Sequence, residues 1–205
     1  MNPKKRMSGF IIHGFAVAHA AAAALLAQTL LGDEPVLTAL TIAMITAVAI
    51  LNGADWSTKD ALVFLGIFLG KYIGIRGLTL LVKWIPFLGN AANATVTFVT
   101  TEILGWATYA FVSKGMQNPS DLSKIERENL LQEANTLRET EGEKSKEVYD
   151  KKSASDKARF DAIMKKLKKL KISKDASDEE CKRFDEESAR YLQELTEIAR
   201  KYETA

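Results

Sequence analysis

The residues of this chain that could do chemistry are few and scattered. Glu102 stands mid-segment among apolar neighbours, where an ionised carboxylate must be paired or protonated. Lys71 and Arg76, on the preceding apolar segment, are its expected partners, forming an ion pair inside a helical bundle; ion or proton handling is the alternative. His13 and His19 are six residues apart, which puts them about 120° apart around a helix. They lack the i, i+4 spacing that grips one ion and read as packing histidines. Cys181 is the single cysteine, so neither an intrachain disulfide nor a multi-cysteine zinc site is available. Between Glu180 and Lys182-Arg183 its thiol is expected to be inert. With no credible Ser-His-Asp or Cys-His order, the sequence predicts no catalytic residue, no metal and no cofactor, hence no enzyme.

What must position these residues is visible in the charge distribution. The 205 residues carry 28 Lys+Arg against 26 Asp+Glu, a net charge of +2. That balance excludes a strongly basic nucleic-acid binder and an acidic tail protein. Residues 1–115 hold only 8 basic and 5 acidic side chains, whereas residues 116–205 hold 20 and 21. One hydrophobic unit is joined to one highly charged unit.

Ser8 to Leu31 is a run of 24 residues without formal charge behind Lys4, Lys5 and Arg6. As a helix it spans about 36 Å, enough to cross a hydrocarbon core. Gly32 to Pro35 break it, and a second uncharged run covers Val36 to Gly53. Ser57 and Asp60 look like a capping pair for a third segment, Ala61 to Trp84, interrupted by Lys71 and Arg76. Pro86 and Gly89 make a turn, and Ala91 to Val112 is the fourth run. The expected fold is all-α: a hydrophobic four-helix, two-hairpin bundle of membrane type over residues 1–115, followed by a charged helical hairpin. With Lys4, Lys5, Arg6, Lys59 and Lys114 on one side, the positive-inside rule places both termini in the cytoplasm. Against full insertion, Lys71 and Arg76 each cost roughly 2.5 to 3.5 kcal/mol at a helix centre. Pairing with Glu102, or a re-entrant course for the third segment, offsets that. A soluble, very apolar helical core and an N-terminal signal peptide are the other readings of these runs.

Gly66, Gly70 and Gly74 recur every four residues and predict a smooth strip for close helix contact, within the monomer or at a dimer seam. Thr95, Thr97, Thr100, Thr101 and Thr108 crowd the fourth run, where hydroxyls can bond back to carbonyls one turn earlier or line a polar path.

The order of these elements resembles a known family. His19-Ala20 in an alanine-rich helix, Leu37-Thr38-Ala39-Leu40 followed by Met44-Ile45 and Gly53, the glycine-spaced third segment, Trp84 to Ala91 at the turn, and Thr101-Glu102 before Gly105-Trp106 are similar to the bacterial domain of unknown function numbered 697, of YcjF type. The resemblance covers about residues 10–115 and contains no catalytic signature. It implies a hydrophobic helical domain associated with membranes and often fused to a GTPase domain. This chain has no G-x-x-x-x-G-K-[ST] loop, so the implied GTPase would be a separate protein.

In the charged half, Asn118 and Pro119 signal a helix starting near Ser120, while residues 141–155 read as a polar linker or a poorly anchored helix, closing a middle region of 116–155. In the last region, 156–205, Phe160, Ile163, Met164, Leu167 and Leu170 make an apolar stripe, with Lys165, Lys166, Lys168, Lys169 and Lys171 on the other faces. Lys157 to Lys174 carries a net +7. Ser177 and Glu180 form a capping box for a helix whose Asp178 to Glu203 stretch is net −4. Opposite charge predicts a hairpin; anionic lipid headgroups or a protein partner are the alternative targets of the lysines, and nucleic acid is not expected. The function expected is a membrane-anchored scaffold or adaptor at the bacterial inner membrane, recruiting a cytosolic protein such as a GTPase. A small oligomeric channel and a soluble helical partner-binding protein are the alternatives.

Overall fold

Short polar residues write the helix starts. The computed structural model describes residues 2–26, 34–70 and 89–204, which form seven α-helices and one 3-10 turn. They are α1 (Pro3–Leu26), α2 (Glu34–Asn52), α3 (Thr58–Gly70), α4 (Gly89–Ser113), the turn Pro119–Asp121, α5 (Lys124–Asp150), α6 (Ala154–Leu167) and α7 (Asp178–Arg200). Ser57 Oγ donates to Asp60 Oδ2 at 2.7 Å, and Asp60 N returns a bond to Ser57 Oγ at 3.3 Å, the capping pair expected for α3. Ser177 and Glu180 close the expected box on α7, and Ser123 with Glu126 makes a second one on α5. Asn118 and Pro119 start a 3-10 turn rather than the α-helix, which begins at Lys124 behind the Ser123 box.

Three helix pairs fix the topology. Asn52 Nδ2 donates to Ser8 Oγ at 2.9 Å while His19 meets Leu37, so α1 and α2 are antiparallel. Glu102 opposite His13 and Gly105 opposite Ile12 make α4 antiparallel to α1 as well. Helix α5 instead runs parallel to α1. Lys5, Gly9 and His13 face Glu141, Ser145 and Tyr149 in step, one helical turn at a time on both elements. Residues 141–150 are therefore helical and anchored, not a linker. Glu141, Ser145, Val148 and Tyr149 are buried there against α1.

The hairpin of α6 and α7 forms, and apolar packing carries it. Its apolar stripes, Phe160, Ile163, Met164 and Leu167 on α6 and Phe184, Leu192, Leu195 and Ile198 on α7, are buried in the same apolar cluster as α1, α2 and α4. The ion pair that ties α6 to the end of α7 runs the other way: Lys201 Nζ to Asp156 Oδ1 at 2.6 Å, with Tyr202 OH donating to Asp156 Oδ2 at 3.0 Å. Lys201 beside Asp156, helped by the Tyr202 and Ser153 hydroxyls, holds that carboxyl below the usual range. The first part of α7 rests on α3, where Asp185 accepts from Thr58 N at 2.8 Å. Helix α7 thus crosses from the start of α3 over α2 to the start of α1.

This arrangement answers what surrounds the apolar runs. Every residue from Met7 to Ala16, from Ile42 to Ala49 and from Thr101 to Val112 is buried, on all faces of the helix. One apolar cluster extends from Met7 to Tyr202, so the composition boundary near Gly115 is a turn in the chain and not a boundary in the core. Pro3–Ala24 is long and apolar enough to cross a bilayer, yet 78% of its 18-residue apolar window is buried against protein. Where the sequence suggested lipid tails, the described residues of α5, α6 and α7 supply the covering.

Close approach is carried by glycines other than those expected. A Cβ at Gly14 would run into Phe160 Cζ and lie 2.8 Å from Tyr149 Cε2, one at Gly105 would sit 2.6 Å from Ile12 Cγ1, and one at Gly9 would strike Ser145 Oγ. Gly66, by contrast, has nothing within 4 Å of its Cβ position among the described residues; Gly70 ends α3 and Gly74 lies outside the described residues. Gly142 also faces open space in the middle of α5. Gly142→Ala is expected to stabilise the protein by about 0.5–1 kcal/mol, through lower unfolded-chain entropy alone. A urea titration showing no gain would mean that α5 is not helical there.

Candidate functional site

Glu102 has a partner, and it is one the sequence reading passed over. Its side chain is buried, with Oε1 3.2 Å from Nδ1 of His13, and the imidazole stands edge-on to Tyr149 and Phe98. Lys71 and Arg76, the expected partners, lie outside the described residues. The His13 signal was present as two polar residues in facing apolar runs, but reading it needed the antiparallel register of α1 and α4. Two of the threonines behave as packing residues: Thr101 Oγ1 donates to Thr97 O at 2.7 Å and Thr108 Oγ1 to Leu104 O at 2.9 Å. Those hydroxyls are spent on their own helix and do not line a polar path.

His19 is held by backbone. Its Nδ1 is 3.1 Å from Phe15 O and its Nε2 is 3.1 Å from Leu37 O. Burial pushes the imidazole down from 6.5 to about 4, against the two carbonyls, which favour the charged form. The folded protein therefore keeps His19 neutral where the unfolded chain takes up a proton. Stability from this residue is complete above about pH 6.5 and is lost as pH falls towards 4, at about 1.4 kcal/mol per pH unit. His19→Met should remove that slope, so the wild-type minus variant difference in unfolding free energy must fall between pH 6.5 and 4; parallel curves would contradict the assignment.

Cys181 is buried, and burial pushes its thiol up, as expected of an inert cysteine. Among the described residues no group of three or more His, Cys, Asp or Glu is placed to hold a metal.

Two grooves stand out on the surface of the described residues. The larger, about 530 Å³, lies between α2, the start of α3 and α7, with Thr46, Ile50, Trp56, Asp185, Leu192 and Arg200 on its walls. Its Asp185 is committed to capping α3. The smaller, about 320 Å³, lies between α1 and α6. Val17 and Ala21 line it from α1, Met164 from α6, and Lys165 and Lys168 from the C-terminal end of α6. Val17, Ala21 and Ala24 are exposed at i, i+4 and i+7, an apolar strip on a helix whose Met7–Ala16 stretch is wholly buried.

Of the five lysines, Lys165 and Lys168 reach this groove. Helix α6 stops at Leu167, so Lys165 and Lys166 occupy its last turn and Lys168, Lys169 and Lys171 follow in the connection to α7. Lysines suit the negative end of a helix dipole, which explains their local placement. Lys165, Lys166, Lys169 and Lys171 are exposed. Lys166 Nζ sits 5.5 Å from the Tyr191 ring centroid, and Asp161, the acidic residue nearest in sequence, is taken by Lys157 at 2.9 Å. Lys168 is half-buried, and burial lowers its affinity for a proton with only Asp161 opposing.

The fold and this surface define an all-helical bundle with a basic, partly apolar end. No protein-family model, no curated protein and no solved structure matches the chain.

Proposed function

We propose that the protein is a non-catalytic helical scaffold at the cytoplasmic face of a bacterial inner membrane, both termini cytoplasmic, bound peripherally through its lysine-rich end. The observation that carries the reading is the juxtaposition of Lys165 and Lys168 with Val17 and Ala21 of the exposed α1 strip around the smaller groove, in a stretch of chain that also exposes Lys166, Lys169 and Lys171. Cations over an apolar strip suit an anionic headgroup layer, where each lysine contributes about 1 kcal/mol. The outer face of α7, with Glu179, Lys182, Arg183, Glu186, Glu187 and Arg190 exposed, offers a rigid mixed-charge surface for a cytosolic partner. The resemblance to the family numbered 697 points to a separate GTPase, with another cytosolic protein as the alternative partner. A channel draws less support, because Glu102, Thr101 and Thr108 are already paired inside the bundle.

Vesicle co-sedimentation tests this. Wild-type protein should bind phosphatidylglycerol-rich vesicles, leave them in high salt or alkaline carbonate, and ignore phosphatidylcholine vesicles. Replacing the five lysines by Gln should weaken binding about a hundredfold or more. Retention in carbonate, or equal binding to both vesicle types, would contradict peripheral attachment by charge.

A further inference from the structure

The smaller groove has features that a general electrostatic attraction does not require. Its floor is apolar and comes from two helices, Val17, Ala18 and Ala21 of α1 with Phe160 and Met164 of α6. Its mouth carries Lys165 and Lys168, three residues apart and so on one side of the helix end. The carboxylate in the wall, Asp161, is neutralised by Lys157, which leaves the mouth cationic. Lys168 is half-buried without a carboxylate bonded to it, an uncomfortable state for an ammonium unless an anion completes its surroundings. At about 320 Å³ the space falls at the small end of ligand pockets, suited to one slender apolar chain rather than a folded cofactor.

We propose that this groove is a binding site for a single anionic phospholipid, its phosphate between Lys165 and Lys168 and one acyl chain laid along Val17, Ala18 and Ala21. The site rests on the membrane-surface reading but is narrower, since it requires one lipid per chain in one place. The apolar floor commits the occupant to a lipid, because a free phosphate would gain nothing from it. The exposed α1 strip continues the floor outwards, so a lipid could enter from the bilayer without leaving apolar contact.

The test separates the groove from the surface. Full-length protein is titrated with monomeric dihexanoyl phosphatidylglycerol, followed by native mass spectrometry and by chemical shifts of the α1 amides, alongside the vesicle assay. The site predicts saturable one-to-one binding, weakened about tenfold or more in Val17→Gln/Ala21→Gln, which leaves all lysines in place, and about thirtyfold in Lys165→Gln/Lys168→Gln. All four positions lie at the groove surface, and unchanged circular dichroism and Tm show that the variants fold. Binding of inorganic phosphate as tightly as the lipid would overturn the lipid assignment. Vesicle binding without one-to-one monomer binding, or unaltered binding in both variants, would overturn the groove and leave the surface reading standing. Failure of the wild type to bind either vesicles or monomer would overturn both.

Discussion

Phe10→Ala should lower the unfolding free energy by about 4–5 kcal/mol, a large share of the roughly 5–15 kcal/mol that holds a domain folded. Phe10 is fully buried at the point where α1, α5, α6 and the end of α7 converge. Its ring stacks on Tyr202 at 5.0 Å between centroids with planes 8° apart, lies 5.4 Å from Tyr149, and meets Phe160 edge-on at 5.9 Å. Truncation removes the transfer free energy of the ring, leaves a cavity that rigid aromatic neighbours cannot close, and cancels three ring contacts. Phe10→Leu, which keeps most of the volume, should cost distinctly less. Urea unfolding followed by far-UV circular dichroism measures both. A loss below about 1 kcal/mol for Phe10→Ala would mean that the charged helices are not docked on α1, because a ring facing lipid or water leaves no such cavity.

Gly14→Val should be the second most damaging change, costing about 3 kcal/mol or more. The added Cβ enters space held by the Phe160 ring and by Tyr149 Cε2 at 2.8 Å. Neither ring can yield cheaply, since Phe160 is also edge-on to Phe10 and Tyr149. Relief requires moving α6 away from α1, which strips the apolar stripe Phe160, Ile163, Met164 and Leu167 from its cover. A matched change at Gly66→Val, where nothing lies within 4 Å, should cost little beyond helix propensity. Equal losses at the two glycines would contradict the α1–α6 contact.

Local signals were legible in the sequence and long-range partners were not. The Ser57–Asp60 and Ser177–Glu180 caps act over three residues, so their chemistry is complete in the sequence itself. The stripe on α6 was equally plain, because its period needs no knowledge of the partner. The apolar runs in α1, α2 and α4 announced that they are buried all round, but periodicity states burial and not what does the burying. Lipid tails and the stripes of α5 to α7 satisfy such a run equally well. The anchoring of residues 141–150 was hidden because two of its inward positions are polar, Glu141 serving Lys5 and Ser145 serving Gly9. Gly66, Gly70 and Gly74 drew notice by regular spacing, whereas the glycines that let helices touch, Gly9, Gly14 and Gly105, follow no such interval. The His13–Glu102 pair likewise depended on a register that no local rule sets.

Of the candidate surface, the lysine cluster was visible from charge alone. Its apolar neighbour was not, because Val17, Ala21 and Ala24 look no different in sequence from the buried residues beside them. Only the packing of α6 against one side of α1 leaves that strip uncovered.

The central claim is that α1 is the core of a protein body and not a helix bathed in lipid. Carbene labelling from a bilayer-partitioned photoreagent, mapped to residues by mass spectrometry on membrane-bound protein, tests it most directly. Label is expected on Val17, Ala21 and Ala24 and none on Met7 to Ala16. Label spread around the helix over Phe10, Ile11, Ile12 and Phe15 would contradict it.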